Sequence, residues 1–314
     1  MNMLKMKANA KEIVLVKTIK SVYVLHGNAR CHVFATNQPS FETQMLKILT
    51  SSNEDEPSTF TVDVSRSKFP AGEIYVKLHG FPLKYHLIIA NLQSSDDIME
   101  LLLVVNALRE FNPKCTIDLD IPYVPYQQQD RVVGELESNS IKVFSSLINM
   151  CDFREVRILD PHSDVTPALI KNCVVSQGLW KFAIEKFNPD VLIAPDAGAY
   201  KKVSKIADKN KLEVITATKK RSNGEIVEGE LLGDVNGKRC LVIDDICVGG
   251  ATFIQLGNLL KNGGAKEIAL YVSHGIFSKG TDKINLYYNK IYTTNSFDFK
   301  KQNPNNDFTG VTVL

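Results

Sequence analysis

Residues 240 to 252, Cys-Leu-Val-Ile-Asp-Asp-Ile-Cys-Val-Gly-Gly-Ala-Thr, combine types that bind a phosphorylated sugar. An apolar stretch, Cys240 to Ile243, runs into two acids, Asp244 and Asp245. Cys247, Val248, Gly249, Gly250, Ala251 and Thr252 follow, and then a helical pattern. In open α/β sheets ligands bind beyond the C-terminal ends of the strands. Glycines let backbone N–H groups approach phosphate oxygens, and a helix N-terminus adds partial positive charge. Thr252 can donate its hydroxyl, while Asp244 and Asp245 would accept hydrogen bonds from ribose hydroxyls or sit near a metal. The competing reading is a plain strand-to-helix turn with capping acids, which two adjacent acids ahead of a Gly-Gly-x-Thr sequence make a poor fit.

This stretch resembles the sugar-phosphate loop shared by type I phosphoribosyltransferases and ribose-phosphate pyrophosphokinases (PRPP synthetases), and the rest of the chain favours the latter. Residues 121 to 131 resemble the synthetases' ATP-site segment, commonly written PYxxYxRQDR, matching it at Pro122, Tyr123, Tyr126, Gln129, Asp130 and Arg131. Asp160-Pro161-His162 resembles Asp-Leu-His, whose histidine binds the magnesium of Mg-ATP. Pro195-Asp196-Ala197-Gly198 resembles Pro-Asp-x-Gly, whose aspartate serves the same magnesium, and the basic Lys201 and Lys202 follow. Thr218-Lys219-Lys220-Arg221 resembles the start of the flexible catalytic loop, over residues 218–231, in which a Lys-x-Arg triplet contacts the transferring phosphates. Phe69, Gly72 and Glu73 resemble a segment that reaches the adenine of a neighbouring subunit's ATP, which implies a homo-oligomer, a dimer or larger.

The resemblance implies Mg2+, brought as Mg-ATP, as cofactor. It makes Lys219 and Arg221 catalytic, His162 and Asp196 metal ligands, and Phe69, Glu73, Gln128, Gln129, Asp130 and Arg131 the ATP contacts. Asp244, Asp245 and Cys247 to Thr252 become the ribose-phosphate site. In the implied reaction an anomeric hydroxyl attacks the β-phosphorus of ATP and AMP leaves. Positive charge and positioning suffice for such a transfer.

Three departures matter. The family's loop usually reads DDxxDTxGT, and Val248 and Gly249 stand where it has an acid and a threonine. Gln128 replaces an arginine, and Val132, Val133, Gly134, Glu135 and Leu136 replace a basic stretch. The tail after Asn295-Ser296-Phe297 is short where the family has a last helix. A roomier 5′ end suggests a larger acceptor. ADP-ribose carries the same free C1 hydroxyl as ribose 5-phosphate, and its pyrophosphorylated product would be an activated precursor for NAD synthesis. Ribose 5-phosphate, giving PRPP, stands beside it as the other acceptor. Two other classes compete: a non-catalytic PRPP synthetase-associated regulatory homologue, and a phosphoribosyltransferase that consumes PRPP.

Short β-branched runs must position these residues: Ser21–Leu25, Tyr85–Ala90, Thr116–Pro122, Val156–Asp160, Val191–Pro195, Val214–Thr216, Cys240–Asp244, Ile268–Val272 and Ile291–Thr294. Helical patterns lie between several of them. In Asp96–Phe111, Ser95 is the expected cap and Ile98, Leu101, Leu102, Val105 and Leu108 recur at helical spacing. Asn139–Met150 and Thr252–Asn262 are two more, the last ended by Gly263-Gly264. Alternating strands and helices predict two doubly wound, parallel-sheet α/β domains of the phosphoribosyltransferase type, 1–172 and 173–297, with a tail at 298–314. Lys219–Glu230 and Lys300–Asp307 read as mobile polar stretches.

The chain has 314 residues, which suits two domains of about 150 each. A net charge of +2 gives no reason to expect nucleic-acid or membrane partners. Apolar runs such as Leu101–Val105 are far short of a membrane span, and the one after the Lys-rich start is short for a signal peptide. Six cysteines without a CxxC pair read as reduced, small apolar groups in a cytoplasmic protein. His274 reads as structural, and His26, His32, His79 and His86 stand outside any constellation.

Overall fold

The computed structural model describes residues 3–6, 13–18, 21–26, 29–32, 46–52, 60–80, 82–222 and 225–314, with backbone only for those before 46 and for 219–222 and 225–228. The first four strands, β1 (Met3–Met6), β2 (Ile13–Thr18), β3 (Ser21–His26) and β4 (Ala29–His32), form an antiparallel meander. Beyond them the chain divides into two compact units, Gln38–Gln177 and Gly178–Leu314, the second grouped with Met1–Asn37.

The unit Gln38–Gln177 holds β5 (Leu46–Ser51), β6 (Phe60–Lys68), β7 (Ile74–His79), β8 (Tyr85–Ala90), α1 (Ser95–Phe111), β9 (Thr116–Ile121), α2 (Ser140–Met150), β10 (Glu155–Leu159), α3 (Val165–Leu169) and β11 (Cys173–Ser176). Its sheet order is β11-β10-β9-β8-β5-β6-β7. The strands β8 to β11 are parallel, and β5, β6 and β7 add an antiparallel edge that the sequence reading missed. Each crossover from β8 to β11 steps in the same direction, so right-handed connections put α1 and α2 on one face. One core records this: Leu101, Leu108, Phe144 and Ile148 of the helices meet Ile88, Ile117, Leu119 and Ile158 of the strands. By strand alternation Asp118, Asp120, Glu155 and Arg157 take the other face. Ser94, not Ser95, caps α1, its hydroxyl accepting from the Asp97 N–H at 3.2 Å.

The unit Gly178–Leu314 holds α4 (Trp180–Phe187), β12 (Val191–Ala194), α5 (Ala197–Asn210), β13 (Glu213–Ser222), β14 (Glu225–Leu232), β15 (Arg239–Cys247), α6 (Ala251–Asn262), β16 (Glu267–Gly275), α7 (Asp282–Asn285), β17 (Lys290–Thr293), α8 (Phe299–Gln302) and β18 (Val311–Val313). The order is β14-β13-β12-β15-β16-β17-β18, parallel except for β14. From β12 the chain steps outward to β13. From β15 it steps the opposite way to β16, β17 and β18. That reversal sends successive helices to opposite faces and opens a crevice at the β12 and β15 strand ends. Phe187 of α4 and Val203 and Ile206 of α5 pack with Leu192, Leu241, Ile243 and Tyr271. Helix α6 buries Phe253, Leu256 and Leu260.

Two expectations of loop are corrected. The stretch 219–230 belongs largely to a hairpin, β13 against β14, with Lys219 opposite Gly229 and Ser222 opposite Glu225. The tail is also ordered. Asp298 caps α8, Phe299 packs edge-on against Phe277 and Phe308 at 5.3 and 4.8 Å, and β18 pairs in parallel with β17. Two phenylalanines supply the apolar anchor that a polar composition hides. Together the two sheets make two α/β domains with parallel centres, as the alternation of strands and helices predicts.

Candidate active site

The acids Asp244 and Asp245 lie within β15, which runs on to Cys247, beyond the expected run Cys240–Asp244. The ladder to β12 stops at Val242 opposite Ile193, whereas the ladder to β16 continues to Cys247 opposite Gly275. The last residues of β15 thus extend past β12 at the topological switch point. Asp196 starts the next element there: it caps α5, its Oδ1 accepting from the Ala199 N–H at 3.1 Å. Gly198 leaves room for that carboxylate, since a Cβ there would come within 3.2 Å of Asp196 Oδ1.

Asp244 is partly accessible yet surrounded by protein atoms. Burial and the adjacent Asp245 carboxylate hold its carboxyl well above the usual carboxylate range, and the Lys202 ammonium opposes them. The Asp245 N–H donates to Asp244 Oδ1 at 3.0 Å. Two crowded carboxylates favour a ligand that brings hydroxyl donors or a cation. Cys247 is buried, and its thiol is pushed up to about 12 by desolvation first and by Asp244 second. It is therefore a packed thiol, not a nucleophile.

The loop that follows is stapled from one side. The Cys247 carbonyl accepts from the N–H groups of Ile276 and Phe277 at 2.9 and 3.1 Å. The Val248 carbonyl accepts from the Ser278 N–H at 2.9 Å and its hydroxyl at 3.2 Å. Gly250 is left-handed at φ 79°, and a Cβ there would sit 2.8 Å from Ile284 Cδ1, so both conformation and space require glycine. It precedes α6 with no side-chain cap, leaving the first-turn N–H groups of Ala251, Thr252 and Phe253 to an anion.

The second group gathers at the ends of β9 and β10. The Pro122 carbonyl accepts from the Leu159 N–H at 3.3 Å. Gln127 is fully buried in the turn that follows, and its Oε1 accepts from the His162 N–H at 2.9 Å. Among the described residues its Nε2 has no partner. Arg131 Nε donates to Asp130 Oδ1 at 2.9 Å, and Arg131, Ser163 and His162 all help hold the Asp130 carboxyl below its usual range. Gln129 Nε2 donates to the Ser138 carbonyl at 3.1 Å, while Gln128 is exposed. The structure thus joins Asp130, Arg131 and His162. Gln127, which ties the two segments together, was missed because a run of three glutamines does not say which one points inward.

Phe69 and Glu73 sit at the exposed tip of the β6–β7 hairpin, closed by Phe69 N–H to Glu73 carbonyl at 2.8 Å. The ring of Phe69 packs edge-on against Tyr75 at 5.5 Å. Arg66 moors the hairpin to the start of α1 through Asp97 at 3.0 Å and Glu100 at 2.9 Å. Lys219 and Arg221 lie on β13, and their side chains are outside the described residues. His274 is buried with Nδ1 2.8 Å from Ser296 Oγ, a structural contact as expected.

Comparison with known proteins gives this geometry a family. Residues 35–151 match the N-terminal domain of ribose phosphate pyrophosphokinase, and residues 175–304 match the phosphoribosyl transferase domain. The ribose-phosphate pyrophosphokinase of Pyrococcus abyssi is 31% identical over 242 residues, covering 75% of this chain and 84% of the relative. That of Pyrococcus furiosus is 30% identical over 241 residues, covering 74% and 86%. The fold is also that of the crystal structure of phosphoribosylpyrophosphate synthetase from Mycobacterium smegmatis, with a TM-score of 0.66 at 23% identity over 81% of this chain and 86% of that one. The chain belongs to the ribose-phosphate pyrophosphokinase family and is an enzyme of the pyrophosphokinase and phosphoribosyltransferase type, acting in nucleotide metabolism.

Proposed function

We propose that the protein moves the β,γ-diphosphate of ATP onto the C1 hydroxyl of a ribose bearing a 5-phosphate, releasing AMP. The observation that carries this is the crowded pair Asp244 and Asp245 beside the uncapped N-terminus of α6. Carboxylates accept the ribose hydroxyls and backbone N–H groups take the 5-phosphate. The C1 oxygen forms a bond to the β-phosphorus as the bond from that phosphorus to the α–β bridging oxygen breaks. The hydroxyl proton goes to water. Lys219 and Arg221 on β13 supply positive charge to the diphosphate in transit.

The nucleotide is assigned to the ends of β9 and β10, where Gln127 orders the backbone of His162 and Asp130 orients Arg131. Among the described residues no group of three metal-type side chains gathers. That suits magnesium, which takes one or two protein ligands and completes its shell with water and phosphate oxygens. His162 and Asp196 are the residues assigned to it. Capping α5 occupies one acceptor position of Asp196, and a carboxylate has about four. Bound as Mg-ATP, the ion would neutralise phosphate charge. Phe69 and Glu73, on an exposed tip, would serve the nucleotide of a second copy. Cys115, Cys151, Cys173, Cys240 and Cys247 are free thiols, which fits a cytoplasmic setting.

ADP-ribose is favoured as acceptor over ribose 5-phosphate, because Val248 and Gly249 leave the 5′ end of the loop without the acid and threonine usual there. Purified protein is incubated with ATP, magnesium and each acceptor in turn, and AMP is measured. Acceptor-dependent AMP is expected, faster with ADP-ribose. Product from ribose 5-phosphate alone would sink the ADP-ribose assignment, and no AMP with either acceptor would sink the reaction.

A further inference from the structure

The bareness of Gly249 is not a requirement of the fold. Gly250 needs its left-handed φ and has no room for a side chain, but Gly249 has neither constraint. A Cβ at Gly249 would meet nothing closer than 3.8 Å, and the atoms it would meet are Cδ and Cε of Lys279. An alanine would fit, so the missing side chain leaves backbone uncovered beneath a lysine.

Lys279 is an exposed side chain on a turn that its surroundings hold in place. It sits in the turn after β16, next to Ser278, whose N–H and hydroxyl both donate to Val248. The tail braces the same turn from behind. Asn306 Nδ2 donates to the Ser278 carbonyl at 3.2 Å, and the Thr281 N–H donates to the Asp307 carbonyl at 2.9 Å. Gly280, at φ 70°, lets the chain pass Asp307, where a Cβ would lie 3.1 Å from the carbonyl oxygen. Among the described residues Lys279 makes no ion pair. The stem of an exposed lysine, Cδ and Cε, thus lies beside the loop segment from which the usual acid is absent.

We propose that Lys279 reads a second phosphate, so that the acceptor is a ribose 5-diphosphate ester rather than a ribose 5-monophosphate. This rests on reading 244–252 as the ribose-phosphate site. A phosphate held on the N–H groups at the start of α6 would find the space beside Gly249 open for its outward substituent. A monophosphate ends there. A diphosphate would continue toward Lys279, whose Cδ and Cε lie by that bare backbone and whose ammonium can then meet the second anionic group.

Calorimetric binding to the full-length chain without ATP tests this with two probes, ADP-ribose and ribose 5-phosphate. The wild type is expected to bind ADP-ribose more tightly. Lys279→Gln should weaken ADP-ribose about tenfold, the size of one charge-assisted hydrogen bond, and change ribose 5-phosphate less than about twofold. Lys279→Arg should retain most of the affinity. Equal losses for both probes, no loss for either, or a wild type that does not prefer ADP-ribose would each overturn the assignment. The proposed reaction fails separately: no AMP in the acceptor assay with the binding contrast intact removes the transfer chemistry and leaves the lysine in place.

Discussion

The units 38–177 and 178–314 each carry a seven-stranded sheet with a parallel centre, yet only one reverses its direction of winding among its parallel strands. In 178–314 the reversal between β12 and β15 opens a crevice, and the candidate ligand groups there are largely backbone: a Gly-Gly turn and uncapped helix N–H groups beside two acids. In 38–177 the parallel strands step one way, both long helices share a face, and the candidate nucleotide groups are fixed by side-chain contacts, Gln127 to the His162 backbone and Asp130 to Arg131. Winding decides where a crevice forms without a designed pocket; where it supplies none, buried polar contacts must build the site. The opposite faces of the sheets differ as well. The face of 38–177 away from α1 and α2 carries Asp118, Asp120, Glu155 and Arg157, whereas Leu192, Ile193, Leu241, Val242, Ala269 and Leu270 make the middle of the central strands of 178–314 apolar on both faces.

The largest effect is expected at the crevice. Asp244→Asn should cut kcat/KM for the acceptor by about 100-fold, from charge-assisted hydrogen bonds to ribose hydroxyls of about 1.5–3 kcal/mol, and leave the KM for ATP unchanged. Because the Asp244 carboxyl is held well above its usual range, the wild type should lose acceptor affinity as pH falls from neutral, sooner than an exposed carboxylate would dictate. The variant should lack that dependence. Loss of ATP binding instead would break the division between the two sites.

The buried charges on the other sheet should act on stability, not catalysis. Desolvation raises Asp118 and Asp120 to about 6 despite Arg157, and Asp120 Oδ2 has no partner among the described residues. The folded state therefore binds more protons than the unfolded one between about pH 4 and pH 6. Stability falls as pH rises through that window. Asp120→Asn should be more stable than wild type at pH 7, by at most about 3 kcal/mol, with the difference vanishing near pH 4 in urea unfolding. A variant less stable at pH 7 would mean that the pair with Arg157 outweighs desolvation.

At the nucleotide end, Gln127→Met keeps the volume and removes the acceptor of the His162 N–H. A stability cost of about 1–3 kcal/mol and a raised KM for ATP with an unchanged acceptor KM are expected. The smallest effects contrast the two glycines. Gly250→Ala should cost about 1–2 kcal/mol from left-handed strain plus the Ile284 contact, and Gly249→Ala less than about 0.5 kcal/mol. Similar costs in thermal unfolding would show that Gly249 is structural after all.

Much of this was legible in the chain. The central strands follow from β-branched runs, and the crevice residues follow from acids and glycines after such a run. The antiparallel edge β5–β7 was not legible, because β6 and β7 are largely exposed, as in Phe60–Lys68, and the buried β5 is a short run with no helical pattern beside it. The β13–β14 hairpin was hidden by its charges, although Asn223-Gly224, between the paired Ser222 and Glu225, is a strong turn signal. Gln127 and Lys279 could not be read at all. One depends on which of three glutamines points inward, the other on two loops 30 residues apart meeting in space.

The central claim is transfer of an intact diphosphate to a ribose C1 hydroxyl, and the fate of a labelled β-phosphate tests it most directly. With β-labelled ATP, magnesium and ADP-ribose, the account predicts that all the label leaves the nucleotide, appears with the γ-phosphate in the acceptor product, and is matched by AMP. Label retained in ADP, with free phosphate or a monophosphorylated acceptor as the other product, would contradict it.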